Sequence, residues 1–421
     1  MRTVYILGAG FSKAICDQMP LMRDLASRVV DELRISPKTL DPFQQDIEAW
    51  LSFLSERQPW LSESESLHNQ ATFLDAARAI AKTMYTLQPQ TLDAVAATIL
   101  DRLTASWSYT TSSIITFNYD LLVESSLRRW NSRTCATDLY PAPLAEREPP
   151  GSGGSWAHMP LRAPLPTLFK LHGCLNWMYP SGPSAQQGPI ILRSNYLDPP
   201  PAHDDKVDPL HSDLEPLIVP PTLTKSTFYA NTALRALWKG AAQALREADR
   251  VVVIGYSFPP SDNQVATLLR TTLAPDTSIM VVDREDAPMG RLCEILGEGR
   301  QIELISGTRA VSTFTQAECG DLVEYSTRWD GADHKLEEVC LNGAKLTLGA
   351  ADEKLTVPDL TEGVKGEWMH RQFLANSISE DNATRHWAYL PPGQKRDNDS
   401  AESLLRKVRE MVSNAQGGKS A

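Results

Sequence analysis

The sequence predicts an α/β fold: a Rossmann-like, mostly parallel sheet with helices on both faces, a helical insertion and a small C-terminal extension. Three observations carry this. An apolar run at the very start, residues 3 to 7, goes straight into Gly8-Ala9-Gly10-Phe11-Ser12-Lys13. Residues 250 to 254 repeat the pattern and end in Gly255-Tyr256-Ser257-Phe258. Four more short apolar runs, at 113 to 117, 166 to 170, 278 to 282 and 301 to 305, are separated by stretches of helical spacing. Strands covered on both faces read as unbroken apolar runs, whereas a strand with one wet face alternates, so these runs belong to a parallel sheet.

Composition narrows the class. The chain has 421 residues, 42% of them hydrophobic and 22% charged, enough for one large domain with insertions or for two domains. No apolar run approaches the ~20 residues of a membrane span, and the start is a strand rather than a signal pattern, so a cytoplasmic location is expected. Six scattered cysteines contain no CxxC pair, which argues against a disulfide framework and against a tetrathiolate zinc site. A net charge of −11 repels a phosphate backbone, and no basic patch offsets it, so no direct nucleic-acid binding is expected.

In chain order, Leu21, Leu25, Val29, Val30 and Leu33 lie at helical spacing behind Pro20. Residues 37 to 109 stay helical and read as an insertion. The strand at 113 to 117 ends in Asn118-Tyr119-Asp120, and residues 140 to 166 are rich in proline, glycine and serine, as expected of a mobile loop. A strand then leads into Leu171-His172-Gly173. His203, Asp204, Asp205, Asp208, His211 and Asp213 have irregular spacing between prolines and read as a solvated loop rather than a metal site. Leu234, Leu237, Trp238, Ala241 and Leu245 mark a helix before the second glycine turn, and Asp262 opens the helix after it. Residues 321 to 421 are polar and irregular, with a hairpin expected around Asn342-Gly343 and a final amphipathic helix through Leu404, Leu405, Val408, Met411 and Val412.

Chemistry concentrates at the strand ends, where open α/β sheets bind their ligands. Gly8 and Gly10 let a backbone approach a pyrophosphate ahead of a helix N-terminus. The third glycine of the dinucleotide fingerprint is replaced by Lys13, so this turn alone reads equally as a plain strand-to-helix connection. Asn118 suits a sugar hydroxyl or a water, although Asn118 or Asp120 also suits a helix cap. His172 is placed to act as a base near neutral pH, and Asp283 to accept a hydrogen bond from a ribose hydroxyl.

The motifs GAGFS (8 to 12), TFNYD (116 to 120), KLHG (170 to 173), GYSF (255 to 258) with Asp262, and VVD (281 to 283) resemble, in this order, those of the sirtuin-like family. The nearer likeness is to its NAD-hydrolysing branch in bacterial antiviral defence. The four-cysteine zinc module that deacylases carry between HG and GxS is missing, since residues 174 to 255 hold only Cys174. The resemblance covers residues 1 to about 320 and implies an NAD-binding catalytic domain there, with 321 to 421 as an extension for assembly or partner binding. It implies catalysis by Asn118 and His172, and NAD binding by Gly8, Ala9, Gly10, Ser12, Asp120, Gly255, Tyr256, Ser257, Asp262 and Asp283, without a metal. The implied activity is an NAD glycohydrolase that depletes NAD as a toxic antiphage effector. A homo-oligomer and a protein partner, such as a co-encoded ATPase or defence sensor, would restrain it. The alternatives are a protein deacylase or ADP-ribosyltransferase, and a catalytically silent NAD or ADP-ribose sensor.

Overall fold

The computed structural model describes residues 1–89, 92–130, 139–146, 165–180, 190–192, 214–223, 225, 228–297, 299–329, 334–345, 356–357, 369–373, 383–390 and 392. At its centre are six parallel strands: β1 (Thr3–Leu7), β2 (Ser113–Thr116), β3 (Thr167–Lys170), β4 (Arg250–Ile254), β5 (Ser278–Asp283) and β6 (Ile302–Ser306). Their order across the sheet is β3-β2-β1-β4-β5-β6. The chain therefore builds outward from β1 in one direction, then returns to the other side of β1 and builds the opposite way. The reversal lies between β1 and β4, which pair from Thr3 with Arg250 to Leu7 with Ile254. In such sheets a crevice opens at that point, beyond the carboxyl ends of the strands.

Four consecutive residues of β1, Val4 to Leu7, are buried, as are Val251 to Ile254 of β4, so these central strands are covered on both faces. That matches the unbroken apolar runs of the sequence. Among the described residues, ten α-helices surround the sheet and its attachments: α1 (Ala9–Ile15), α2 (Met22–Leu33), α3 (Ile47–Ser55), α4 (Glu63–Leu87), α5 (Ala94–Tyr109), α6 (Leu122–Trp130), α7 (Thr232–Arg246), α8 (Asn263–Thr272), α9 (Ala287–Leu296) and α10 (Ala310–Glu318). Helix α5 touches α1, α6 and α10, whereas α7 touches α8, and α8 touches α9. The helices α2, α3 and α4 pack on one another as a lobe. Helix α5 differs from the rest of the predicted 37 to 109 insertion. Its Trp107 is fully buried, with ring centroids 5.2 Å from Tyr5 on β1 and 6.2 Å from Phe11, so α5 is a covering helix of the sheet.

Among the described residues, a smaller four-stranded sheet has the order 144–146, 190–192, 173–180, 214–218, and its strand 173–180 begins directly after His172. The C-terminal region departs from the irregular tail expected. Strands Asp321–Trp329, His334–Leu341, Ala344–Lys345, Met369–Phe373 and Ala383–Leu390 form an antiparallel sheet. The long strands here, such as Asp321–Trp329 and His334–Leu341, break the apolar–polar alternation that marks a half-buried strand, for instance with Leu322-Val323 and Glu337-Glu338 side by side. The expected hairpin is present, with Asn342 and Gly343 at φ 47° and 79°. Buried Arg102 of α5 fastens this sheet by donating to the carbonyls of Gly320 (3.0 Å) and Cys319 (3.1 Å). The loop at 147–164, the acidic and histidine stretch at 203–213 and the amphipathic run at 404–412 lie outside the described residues. Among the described residues, no helix is long and apolar enough to cross a membrane.

Candidate active site

The two glycine turns meet at the reversal of strand order. A Cβ on Gly8 would lie 2.5 Å from the Gly255 carbonyl oxygen, and one on Gly10 would lie 2.9 Å from Gly255 Cα. Gly255 has φ +63°, and a side chain there would run into the backbone of Gly10 and Phe11. The Gly8 amide donates to Ile254 O (3.1 Å) and the Gly10 amide to Gly255 O (2.8 Å). These glycines are thus required by the contact of one turn with the other. Ala9 and Ser257 are the exposed residues of the two turns. Next to Ser257, Phe258 is buried at φ +52°, a backbone region costly for a bulky residue.

Asn118, at the end of β2, reaches across to the first turn. Its Nδ2 donates to Gly8 O and to Ser12 Oγ, each at 2.8 Å, and Ser12 Oγ donates to Asp120 Oδ2 at 2.6 Å. The other oxygen of Asp120 accepts the Leu122 amide (3.2 Å) at the start of α6. Ser12 and Asp120 are buried, so their polar atoms hold the turn and the helix in place, while Asn118 is half-buried. Lys170, at the end of β3, is 1% exposed and ties this loop to β3. It bonds the Asp120 carbonyl and forms an ion pair at 2.9 Å with Glu124, itself bonded by the Tyr140 hydroxyl at 2.7 Å.

His172 follows directly. Gly173, at φ +85°, turns the chain where any side chain would strike Leu217 O, and the His172 carbonyl accepts the Val219 amide (2.8 Å). The imidazole lies 5.0 Å from the Phe117 ring, and its Nε2 is 3.2 Å from the Tyr229 hydroxyl and 3.9 Å from Asp262 Oδ1. Burial, opposed by Asp262 and assisted by Lys225, pushes His172 down to about 4, so the ring is neutral at pH 7. Asp262 was expected at the opening of α8, and it stands there. Its carboxylate, however, makes no cap bond and turns inward, ion-paired with Lys225 and accepting the Tyr256 hydroxyl at 2.6 Å. Burial alone would raise its pKa, but His172, Lys225 and Tyr256 together hold it below the usual carboxylate range. The Tyr256 ring stacks on Phe117 at 4.5 Å, joining the second glycine turn to the histidine.

Asp283, at the end of β5 beside β4, sits on the same edge, half-buried, with Oδ1 accepting the Glu285 amide at 3.1 Å. Burial raises its pKa. Cys174 is buried beside Lys170, and its thiol is pushed up to about 12 by burial. Lys225 and Tyr229 escaped the sequence reading. Lys225 lies 37 positions from its partner Asp262, in a polar stretch without periodicity. Tyr229 precedes the Asn231 cap of α7, which accepts the Ala233 amide at 2.9 Å, and reads locally as helix lead-in. A groove of about 560 Å³ opens beside Tyr229, with Trp238, Arg235, Lys239 and Gln264 among its walls.

In comparison with known proteins, residues 112–290 match the family model described as a SIR2-like domain, a span running from the start of β2 into α9. No curated protein matches the chain by sequence. Solved structures similar to it include a Sir2 mutant with a p53 peptide and NAD, at 12% identity and TM-score 0.35, covering 75% of this chain and 91% of that one. Another is a mutant Sir2 homologue in complex with ADP-ribose, also at 12% identity and TM-score 0.35, covering 75% of this chain and 92% of that one. Over residues 112–290, from Asn118 and His172 to Asp283, the chain is similar to the SIR2-like domain.

Proposed function

We propose that this chain is an NAD glycohydrolase, cleaving NAD with water to nicotinamide and ADP-ribose. The observation that carries the reading is a neutral, buried His172 at the carboxyl edge of a sheet whose strand order reverses at two touching glycine turns. The likeness of residues 112–290 to the SIR2-like domain supports the same reading. Asp283 and His172 are four strand spacings apart across that edge, about 19 Å at roughly 4.8 Å per strand, a span for an extended dinucleotide. In this reading Ala9, Ser257 and Asp283 face the pyrophosphate and the far ribose, and Gly8, Gly10, Gly255, Ser12, Asp120, Tyr256 and Asp262 shape the crevice.

The reaction breaks the C1′–N bond, and the bonding pair neutralises the pyridinium nitrogen, so nicotinamide leaves without needing an acid. Water then adds to the oxocarbenium-like carbon. Because Asn118 spends its Nδ2 on Gly8 and Ser12, its Oδ1 is the atom offered to a ribose hydroxyl or to that water. The Nε2 edge of His172 faces Tyr229 and Asp262, which leaves Nδ1 to take the proton of the attacking water or of a ribose hydroxyl. The finer reading is of a toxic, NAD-depleting effector restrained by assembly or a partner, with residues 1–320 catalytic and 321–421 as the contact. It rests on the resemblance of the five motifs. The test is nicotinamide release from NAD by purified protein, with and without acylated peptide. Release that requires the peptide would instead mark a deacylase, and binding without release a sensor.

A further inference from the structure

Four separate parts of the chain converge behind the Nε2 edge of His172. Lys225 comes from the segment before α7, Tyr229 from the short 3-10 helix Phe228–Ala230, Asp262 from the turn before α8, and Tyr256 from the end of β4. Lys225 is 2% exposed, His172 6% and Asp262 7%. A buried ion pair rarely outperforms apolar residues of the same volume, because desolvation consumes most of the attraction. Its presence against a histidine at a strand end therefore points to chemistry rather than to stability.

Resting on the reading of His172 as the base, we propose that Asp262 and Lys225 are positioning residues that set its basicity in opposite directions. Asp262, 3.9 Å from Nε2, is the counter-charge for the imidazolium formed when Nδ1 takes a proton. Lys225 and the Tyr256 hydroxyl occupy the two carboxylate oxygens, so Asp262 stays ionised and cannot swing onto the ring. Burial keeps His172 neutral in the resting site, and the lysine tempers the opposing field of the carboxylate. Both effects follow from the signs of the charges: a carboxylate beside the ring favours the imidazolium, and an ammonium disfavours it. The other titratable groups around the cluster are Tyr229 at Nε2, Tyr119, and Glu48 from α3, whose carboxyl is raised by burial. Tyr119 and Tyr229 titrate far above neutrality, so beside Glu48 the charges of the cluster are Asp262 and Lys225, and these two act on His172 with opposite signs.

The experiment follows the His172 imidazole by NMR titration in the full chain without NAD, and the pH dependence of kcat for NAD cleavage, in wild type, K225M, K225R and D262N. K225M should raise the imidazole titration and the acidic limb of kcat together by about one pH unit, and K225R should restore both. D262N should lower kcat about tenfold or more with KM for NAD little changed. If K225M does not fold, the charge-balanced double variant K225M/D262N carries the comparison, and it should show the D262N loss of kcat at unchanged KM. An imidazole titration unmoved in folded K225M, or wild-type kcat in D262N or in the double variant, would overturn the proposal. Absence of NAD cleavage by wild type would refute the proposed activity, and the NMR arm would still decide the charge coupling.

Discussion

Gly8 and Gly255 touch backbone to backbone, with space for a side chain on neither: a Cβ on Gly8 would come within 2.5 Å of the Gly255 carbonyl oxygen. Glycine here first serves the closure of the sheet at its reversal point. Gly255→Ala should therefore cost on the order of 2 to 4 kcal/mol in chemical denaturation, combining a left-handed φ with a clash against Gly10 and Phe11. A fully stable Gly255→Ala variant would show that the turns separate freely.

Ser257 offers a cleaner probe of the crevice, because it is exposed and its replacement leaves the turn contact alone. Ser257→Trp should keep the wild-type melting temperature and weaken NAD binding about tenfold or more by calorimetry. Unchanged affinity in a folded Ser257→Trp protein would place NAD elsewhere.

Buried His172 makes stability depend on pH. Its folded value, about 4, lies below the ordinary 6.5, so between those pH values the unfolded chain takes up a proton that the folded protein refuses. Stability from this group is complete above about pH 6.5 and falls as pH drops towards 4, by on the order of 3 kcal/mol in total. Asp262, held below the usual carboxylate range, loses its contribution at still lower pH. Urea denaturation at a series of pH values should show this decline in wild type and a shallower one in His172→Gln. Equal slopes would mean that His172 titrates normally in the fold.

Lys170 and Glu124 form a buried pair that joins β3 to the Asn118 loop. Lys170→Met should destabilise the protein by about 3 to 5 kcal/mol because Glu124 is left charged and buried, and adding Glu124→Gln should recover much of that loss. Thermal melts of the single and double variants check it, and no recovery would mean that the pair acts through shape alone.

The sheet was legible because its central strands, such as Thr3–Leu7 and Arg250–Ile254, are nearly continuous apolar runs, and the reversal point because both flanking turns are glycine. His172 was legible for the same reason: it follows an apolar strand and precedes a glycine that only a left-handed turn explains. Lys225 and Tyr229 were not, since their importance comes from Asp262 and His172, which are distant in sequence and local only in space. The role of Asp262 was half legible. Its place before α8 marks a helix start, but nothing local tells a cap from a carboxylate turned inward. The antiparallel C-terminal sheet was missed because its strands are polar and break strict alternation, so no period separates them from loops.

Nicotinamide release from NAD by purified wild type, His172→Ala, Asn118→Ala and the double variant tests the catalytic pair most directly. The prediction is release without peptide by wild type, a loss of about a hundredfold or more in each single variant with NAD still bound, and a double variant hardly slower than the worse single one, because both residues serve one transition state. Release by His172→Ala at the wild-type rate would contradict it.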